Sequence, residues 1–381
     1  MSHIEQERED WRKKAREVAK SFVAPRAAEI DETGEFAWDL VEEYSKYGFL
    51  SLLIPEEYGG MDADITSFCM IAEEIANVCA SSSLLVIVQA VGTMPLALGG
   101  TQELKENFLT RLVKEKALIC FCLTEPESGS DSASIRTKAV PKGDHYLLNG
   151  RKCFITNGGV ANFYTVFAMT NPGMKMEGIS GFVLEKGTPG LSVGKTEEKM
   201  GIRGSNTTEV ILEDVKVPVH QRIGDEGAGW WQMMRTLNRS RPAIGAQAVG
   251  LAQGALNYVI RLVQEKGRAK KKGEASGIEW MLADMATQIE AARALVYKAA
   301  NMMDEKIKGT PVQVFSAMSK YFASDVAMKV TTDAVQILQW QGLTQRHPVE
   351  RMMRDAKVIQ IFEGTNQIQR MVVAHTLLKS K

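Results

Sequence analysis

Phe121-Cys-Leu-Thr-Glu-Pro-Glu-Ser-Gly-Ser-Asp131 divides the chain. It leaves an apolar, strand-like run and enters a polar loop. What precedes it reads as helix. Residues 5–30 are charged and amphipathic, and 64–78 and 81–98 carry helical periodicity, the latter mostly apolar as in a buried helix. Pro55-Glu-Glu-Tyr-Gly-Gly60 interrupts this region as a turn. From Ala117 the texture changes to short apolar runs broken by Gly, Asn and Pro, at 118–123, 145–148, 164–169, 181–184 and 209–212. That is the pattern of an antiparallel β domain. Beyond Gly227 helix returns. Met281, Met285, Ile289, Ala292, Val296 and Ala299 form a stripe at helical spacing, which is bundle packing and not a cofactor box. The fold class is mainly α with a central antiparallel β domain, divided at 1–117, 118–226 and 227–381.

A chain of 381 residues can bury a large core and divides readily into two or three domains. Lys plus Arg and Asp plus Glu number 46 each, so no net charge favours nucleic acid or acidic membranes as partners. Five cysteines, at 69, 79, 120, 122 and 153, have no metal-like spacing and read as reduced, buried thiols. No metal site is expected. No apolar run approaches the roughly 20 residues of a membrane span, and the charged stretch 1–16 has no signal-peptide core. A cytoplasmic location follows, although a processed organelle protein has the same features.

The loop at 121–131 offers backbone amides and the hydroxyls of Thr124 and Ser130 around Gly129, which permits close approach to a ring edge or a pyrophosphate. An ordinary polar turn after a strand would use the same residues. Far downstream, Val358-Ile-Gln-Ile-Phe-Glu-Gly-Thr-Asn-Gln-Ile-Gln-Arg370 sets one carboxylate, Glu363, in an apolar run before Gly364 and Thr365. With apolar flanks and few charged neighbours it is poorly solvated. Its pKa should rise, which suits a general base that removes a carbon-bound proton. A lone Glu before Gly is more often a surface residue at a helix end. The upstream motif is what makes the chemical reading worth pursuing.

Together the two motifs resemble the acyl-CoA dehydrogenase family, over nearly the whole chain. The resemblance implies an N-terminal helical domain, a middle β domain and a C-terminal four-helix domain, with FAD between the last two. It implies that Phe121, Leu123 and Thr124 contact the isoalloxazine and that Gly129 and Ser130 lie near the pyrophosphate, Ser130 also near substrate. Lys152-Cys-Phe-Ile-Thr-Asn-Gly-Gly159 is similar to the next family segment. Phe154 stands where the family usually has Trp, keeping an aromatic face but losing the indole N–H, and Thr156 offers a hydroxyl to the flavin ring. Lys199 to Glu209 resembles the turn into the last strands. Leu237-Asn-Arg-Ser-Arg-Pro242 resembles the segment that holds the CoA arm, with Asn238 where Asp is common. Arg241 either fixes the thioester end or forms a structural ion pair. Thr365 and Gln367 fall on the adenosine and pyrophosphate side, and Gly364 on the substrate side.

By the same resemblance Glu363 takes the α proton while a hydride leaves the β carbon for flavin N5. Negative charge on the thioester oxygen is met in the family by the backbone N–H of the catalytic Glu and a ribityl hydroxyl. Burial of the base without ionic partners should raise its pKa. An electron-transferring flavoprotein is the acceptor this resemblance implies. The same residues would serve an enoyl-CoA reductase running the chemistry backward, and a non-catalytic acyl-CoA-binding subunit is the alternative of another class. The helix at 86–98, with Gln89 and Met94, is expected to line part of the acyl pocket. It carries no cation, which disfavours a dicarboxylic acyl group.

Two segments depart from the family. Many homodimeric members have Arg-x-x-Phe-Gly, whose Arg and Phe reach a neighbouring subunit's flavin; the corresponding positions are Glu265, Arg268 and Ala269, and the usual Gln a few residues later is Ser276. Gln336-Ile-Leu-Gln-Trp-Gln-Gly342 departs from Gln-x-x-Gly-Gly-x-Gly at Gln339 and Trp340. A Trp side chain covers roughly 150–250 Å² when packed, so it would fill space that glycine leaves for adenosine. The chain keeps what holds its own flavin ring and lacks what it would lend to a neighbour. Three arrangements are compatible: a hetero-oligomer with a homologous subunit, a homo-oligomer whose basic run Lys266 to Lys272 reaches the phosphates, or loss of flavin. Retention of Glu363 beside Thr124 and Thr156 argues against the last.

Overall fold

The computed structural model describes residues 2–265, 277–307 and 309–379. Its first long helix, α1 (His3–Val18), begins with a reciprocal cap. Ser2 Oγ accepts from the Glu5 N–H, and the Glu5 carboxylate accepts from the Ser2 N–H at 2.6 Å. The segment 5–30, expected as one helix, is not regular. A π turn (Ala19–Val23) and a 3-10 turn (Ala24–Arg26) precede a short helix, Ala27–Thr33. Pro25 has no N–H to continue the ladder, and this accounts for the tightened turn. Asp64 caps α2 (Ile65–Ala76) by accepting from the Ser67 N–H at 2.7 Å.

The next helix, α3 (Ala80–Gly99), corrects the expectation that no segment reaches membrane-spanning length. By length and composition it does, but 78% of its most apolar window is buried inside the fold. Ser81, Ser82, Ser83, Gln89 and Thr93 are buried along it. Gln89 donates to the Ala117 carbonyl at 2.9 Å and accepts from the Ile119 N–H at 3.1 Å. Its amide therefore clamps helix to strand.

Among the described residues eight strands form one sheet: β1 (Ile119–Cys122), β2 (Lys138–Lys142), β3 (His145–Thr156), β4 (Phe163–Met169), β5 (Ile179–Glu185), β6 (Leu191–Thr196), β7 (Thr207–Pro218) and β8 (Arg222–Ile223). The order is β6-β7-β3-β2-β4-β5-β8, with β1 on β4. Pairing is mostly antiparallel. The exceptions are β1, which runs parallel to β4 with Ile119 opposite Phe163, and one parallel contact of Lys138 with Met169. Leu148, Tyr164, Val166, Phe182, Leu212 and Val215 form much of the core against this sheet. All five cysteines are free and buried.

The C-terminal helices are α4 (Gly229–Glu265), α5 (Gly277–Asp304), α6 (Thr310–Leu338), α7 (Val349–Ile359) and α8 (Asn366–Lys379). The α5 stripe from Met285 to Ala299 is buried, with Met281 at its edge. The axis of the assembly is α4, rich in Gly and Ala through its middle. A Cβ at Gly250 would lie 2.1 Å from the Glu73 carbonyl oxygen, and one at Gly254 would lie 2.0 Å from that of Asn77. The end of α2 thus rests directly on the backbone of α4. Gly250→Ala should destabilise the protein by about 1–3 kcal/mol, because a methyl there must push two backbones apart. A thermal melt of the variant matching the wild type would show that the contact yields freely.

Candidate active site

The site forms where α4, α6 and the turn between α7 and α8 meet. Pro242 lies inside α4. It has no N–H, so the Asn238 carbonyl lacks its helical donor. Ser316 of α6 supplies one, its hydroxyl donating to that oxygen at 2.7 Å. Beside this irregular turn Ser240 and Arg241 are buried. Ser240 Oγ donates to Glu363 Oε2 at 3.1 Å and also lies 3.2 Å from the Leu237 carbonyl.

Glu363 sits in a strained turn. Its φ is +56° and that of Gly364 is +90°, both in the left-handed region. For glutamate that conformation is unfavourable and is held only by its surroundings. At position 364 the φ of +90° favours glycine, whereas the Gln369 amide 2.4 Å from where a Cβ would lie is the movable end of a side chain. Lys320 of α6, fully buried, donates to the Gly364 carbonyl at 2.8 Å and to Asn366 Oδ1 at 3.0 Å. Asn366 in turn donates to Ser324 Oγ at 2.9 Å and Asp325 Oδ1 at 2.8 Å. Thr365 caps α8, accepting from the Ile368 N–H at 3.3 Å.

Burial pushes the Glu363 carboxyl above the usual glutamate range, opposed first by Arg241, then by the Ser240 hydrogen bond and by Lys320. The base was expected to lack ionic partners. Among the described residues no cation lies within 4.0 Å of it, although the charges of Arg241 and Lys320 act on it from farther off, and burial outweighs both. Burial also pulls Arg241 down to about 10, with Glu363 opposing. Arg241 donates to Asn238 Oδ1 at 2.8 Å, while its buried Nε has no partner. Among the described residues it makes no ion pair within 4.0 Å, so the structural ion pair is not found. A buried N–H without an acceptor suits a polar group brought by a ligand.

On the sheet side, Lys152 and Glu125 form a fully buried pair at 2.7 Å. Lys152 also donates to the Leu123 carbonyl at 3.1 Å, and the Cys153 N–H donates to the Thr124 carbonyl at 2.9 Å. The loop is thereby tied to β3. Phe121 meets Phe167 with ring centroids 5.1 Å apart, and Leu123 packs with Met233 and Leu237 of α4. Phe154 lies at a bulge in β3, at φ +54°, with its ring 64% exposed, and Thr156 is partly buried opposite Thr207. Gly129 faces open space and Ser130 is exposed. An aromatic face left bare by a strained bulge, beside an open glycine loop, fits a flat ring with a phosphate tail. Glu363, Gly364, Asn238 and Arg241 form one cluster. Phe121 and Leu123 join it through α4, while Gln367 is exposed at the start of α8.

Sequence reasoning did not single out Ser240, Ser316, Lys320 or Asn366. Ser240 fell inside a quoted motif; for Lys320 the available signal was a cation among small and apolar neighbours, between Ala317 and Met318 on one side and Phe322 and Ala323 on the other. Of the departing residues, Arg268, Ala269, Ser276 and the run Lys266 to Lys272 lie outside the described residues. Glu265 is exposed at the end of α4. Gln339 keeps a backbone suited to glycine, at φ +58°, and Trp340 is 66% exposed. The retained Gly342 has its own reason, since a Cβ there would lie 2.6 Å from the Val335 carbonyl.

Three family models match the chain: Acyl-CoA dehydrogenase, N-terminal domain, over residues 5–116; middle domain, over 120–215; and C-terminal domain, over 227–378. The probable acyl-CoA dehydrogenase FadE25 of Mycobacterium tuberculosis is 47% identical over 99% of this chain and 96% of its own. The cyclohex-1-ene-1-carbonyl-CoA dehydrogenase of Syntrophus aciditrophicus is 46% identical over 99% of this chain and 91% of its own. The solved structure of butyryl-CoA dehydrogenase from Megasphaera elsdenii matches with a TM-score of 0.93 and 40% identity, covering 100% of this chain and 99% of that one. The chain belongs to the acyl-CoA dehydrogenase family and is a flavin-dependent oxidoreductase of acyl-CoA thioesters with FAD as its cofactor.

Proposed function

We propose that the chain carries out α,β-dehydrogenation of an acyl-CoA thioester to the enoyl-CoA, with Glu363 as the base for the α proton. The observation that carries this reading is the Glu363 carboxyl, raised above its usual pKa on a strained turn and hydrogen-bonded to Ser240. A thioester acidifies its neighbouring carbon, and a poorly solvated carboxylate is a stronger base than one in water. FAD, when bound, supplies the acceptor for the β hydride. Phe121, Leu123, Thr124, Phe154 and Thr156 line its ring in this reading, Gly129 and Ser130 its pyrophosphate, and Thr365 and Gln367 its adenosine side. Asn238, Arg241, Gly364 and Ser130 hold the substrate. The unpartnered Nε of Arg241 supports that role.

The domain limits 1–117, 118–226 and 227–381, a cytoplasmic location and an electron-transferring flavoprotein as acceptor belong to the same proposal. The enoyl-CoA reductase direction uses the same residues, and relative potentials decide between them. Two relatives of similar identity are named for a ring acyl group and for a straight one, so the acyl group is left open. Glu363→Gln should keep flavin and substrate while slowing flavin reduction by about 10²–10⁴-fold, the usual contribution of a positioned base. The wild-type rate should fall on the acid side at a pH above the ordinary glutamate range, because the base works only when ionised and its pKa is raised. Anaerobic reduction of the variant at a near-normal rate would remove Glu363 from the role.

The neighbour-facing half-site supports a second part of the proposal: a complete flavin site needs a homologous partner chain. Glu265, Gln339 and Trp340 are exposed, with Leu343 75% exposed beside Trp340. A missing charged hydrogen bond to pyrophosphate costs roughly 1.5–3 kcal/mol, about ten- to a hundredfold in affinity. The chain expressed alone should be flavin-poor and should gain flavin with its partner, giving fewer than one FAD per subunit in the assembly. Absorbance of the purified protein measures the ratio. A homo-oligomer with one tightly bound FAD per subunit would sink this arrangement.

A further inference from the structure

Lys320 is fully buried in α6, where a charged group is held at a cost. Among the described residues its ammonium makes no ion pair within 4.0 Å; its partners are the Gly364 carbonyl and Asn366 Oδ1. Those contacts sit on either side of Thr365, just after the strained Glu363. The network continues from Asn366 to Asp325, which accepts from Gln360 Nε2 at 2.7 Å. The Asn366 N–H returns to the Gln360 carbonyl at 3.0 Å. Both ends of the turn that presents the carboxylate are therefore tied to one stretch of α6. A neutral donor could make such ties without the penalty of a buried charge, so the charge itself calls for an explanation.

We propose that Lys320 is a positioning residue for Glu363: it fixes the turn that presents the carboxylate, and its charge keeps that carboxylate ionised. The proposal rests on the reading of Glu363 as the base. The charged and titratable groups facing Lys320 are Glu363 from the turn, Arg241 from α4 and Asp325 from α6 itself. Burial pulls Lys320 down to about 7; Glu363 and Asp325 oppose this and Arg241 adds to it. Below that pH Lys320 is charged and favours ionised Glu363, offsetting part of the burial that would protonate the base. As pH rises through about 7, Lys320 loses its proton and the electrostatic support fades. The two groups titrate as a coupled pair, and the active form extends further toward acid than burial of Glu363 alone would allow.

Lys320→Met keeps the length of the side chain without charge or donors. The test measures anaerobic flavin reduction by saturating acyl-CoA from pH 5.5 to 9, using FAD-loaded protein in whatever assembly holds the flavin. The expected result is a K320M rate at pH 6 about tenfold or more below wild type. The gap should narrow above pH 8, with the acid limb of the profile moved to higher pH. Lys320→Gln keeps a neutral donor and should show the same shift of the acid limb; it also stands in if K320M cannot hold FAD. A rate ratio equal at every pH, no slowing at all, or loss of FAD by both variants overturns the proposal. Glu363→Gln run in parallel separates the two readings. If that variant reduces its flavin normally, the base assignment fails whatever Lys320 does. If it is inactive while K320M shows no pH-dependent change, the Lys320 proposal fails alone.

Discussion

Two carbonyl oxygens, those of Glu73 and Asn77, press on α4 where it has no side chain, at Gly250 and Gly254. Such contacts leave no freedom in how deep α4 sits, since interiors packed at this density do not deform smoothly. The rest of the site hangs from that helix. Near its start, Met233 and Leu237 pack against Leu123 of the sheet-side loop, and within one further turn Ser240 reaches Glu363. One rigid rod therefore sets the separation between the surface suited to the flavin ring and the carboxylate. Pro242 releases a carbonyl at just this height, and Ser316 of α6 takes it up, so the irregularity binds a second helix to the same point.

Around Glu363 opposing effects are balanced. Desolvation raises the carboxyl, while Arg241, Ser240 and Lys320 lower it. The cations are themselves depressed by burial, Arg241 to about 10 and Lys320 to about 7. With only apolar groups around it the carboxyl would be raised further; a tight ion pair would lower it and make it a weaker base. The distances explain the compromise. Among the described residues no cation lies within 4.0 Å of Glu363, and its one direct hydrogen bond comes from a hydroxyl. The field of the cations acts while the carboxylate stays outside an ion pair, as the role proposed for Glu363 requires.

The local parts of this arrangement were legible in the sequence. Helical periodicity gave α2 and α3 to within a residue or two, and the change of texture near Ala117 placed the start of β1. Strands β2, β6 and β8 were not read, because β6 is largely exposed, β2 carries Lys at both ends and a Pro, and β8 has only two residues. None shows the alternation that marks a half-buried strand. The motif residues Glu363, Asn238 and Arg241 were named in advance. Ser240 and Lys320 were not, since their meaning lies in contacts 123 and 44 residues distant along the chain. The clamp made by Gln89 was not foreseen either, because its amide completes the backbone pairing of Ala117 and Ile119, 28 and 30 residues away along the chain.

The segment at 336–342 shows how a chain can change residues and keep their backbone. Gln339 holds φ +58°, a conformation natural to glycine and costly for glutamine. Gly342 could not change, because the Val335 carbonyl occupies the space a Cβ would need. Trp340 faces outward, so nothing inside this chain called for an indole there. The fold tolerates the substitutions at 339 and 340 because the positions face away from its core, while their backbone remains as a glycine-rich turn would leave it. A large aromatic side chain now stands on that outward face. A surface shaped this way excludes some neighbours by bulk and offers apolar area to others, which is how steric rejection and attraction combine to set partner choice.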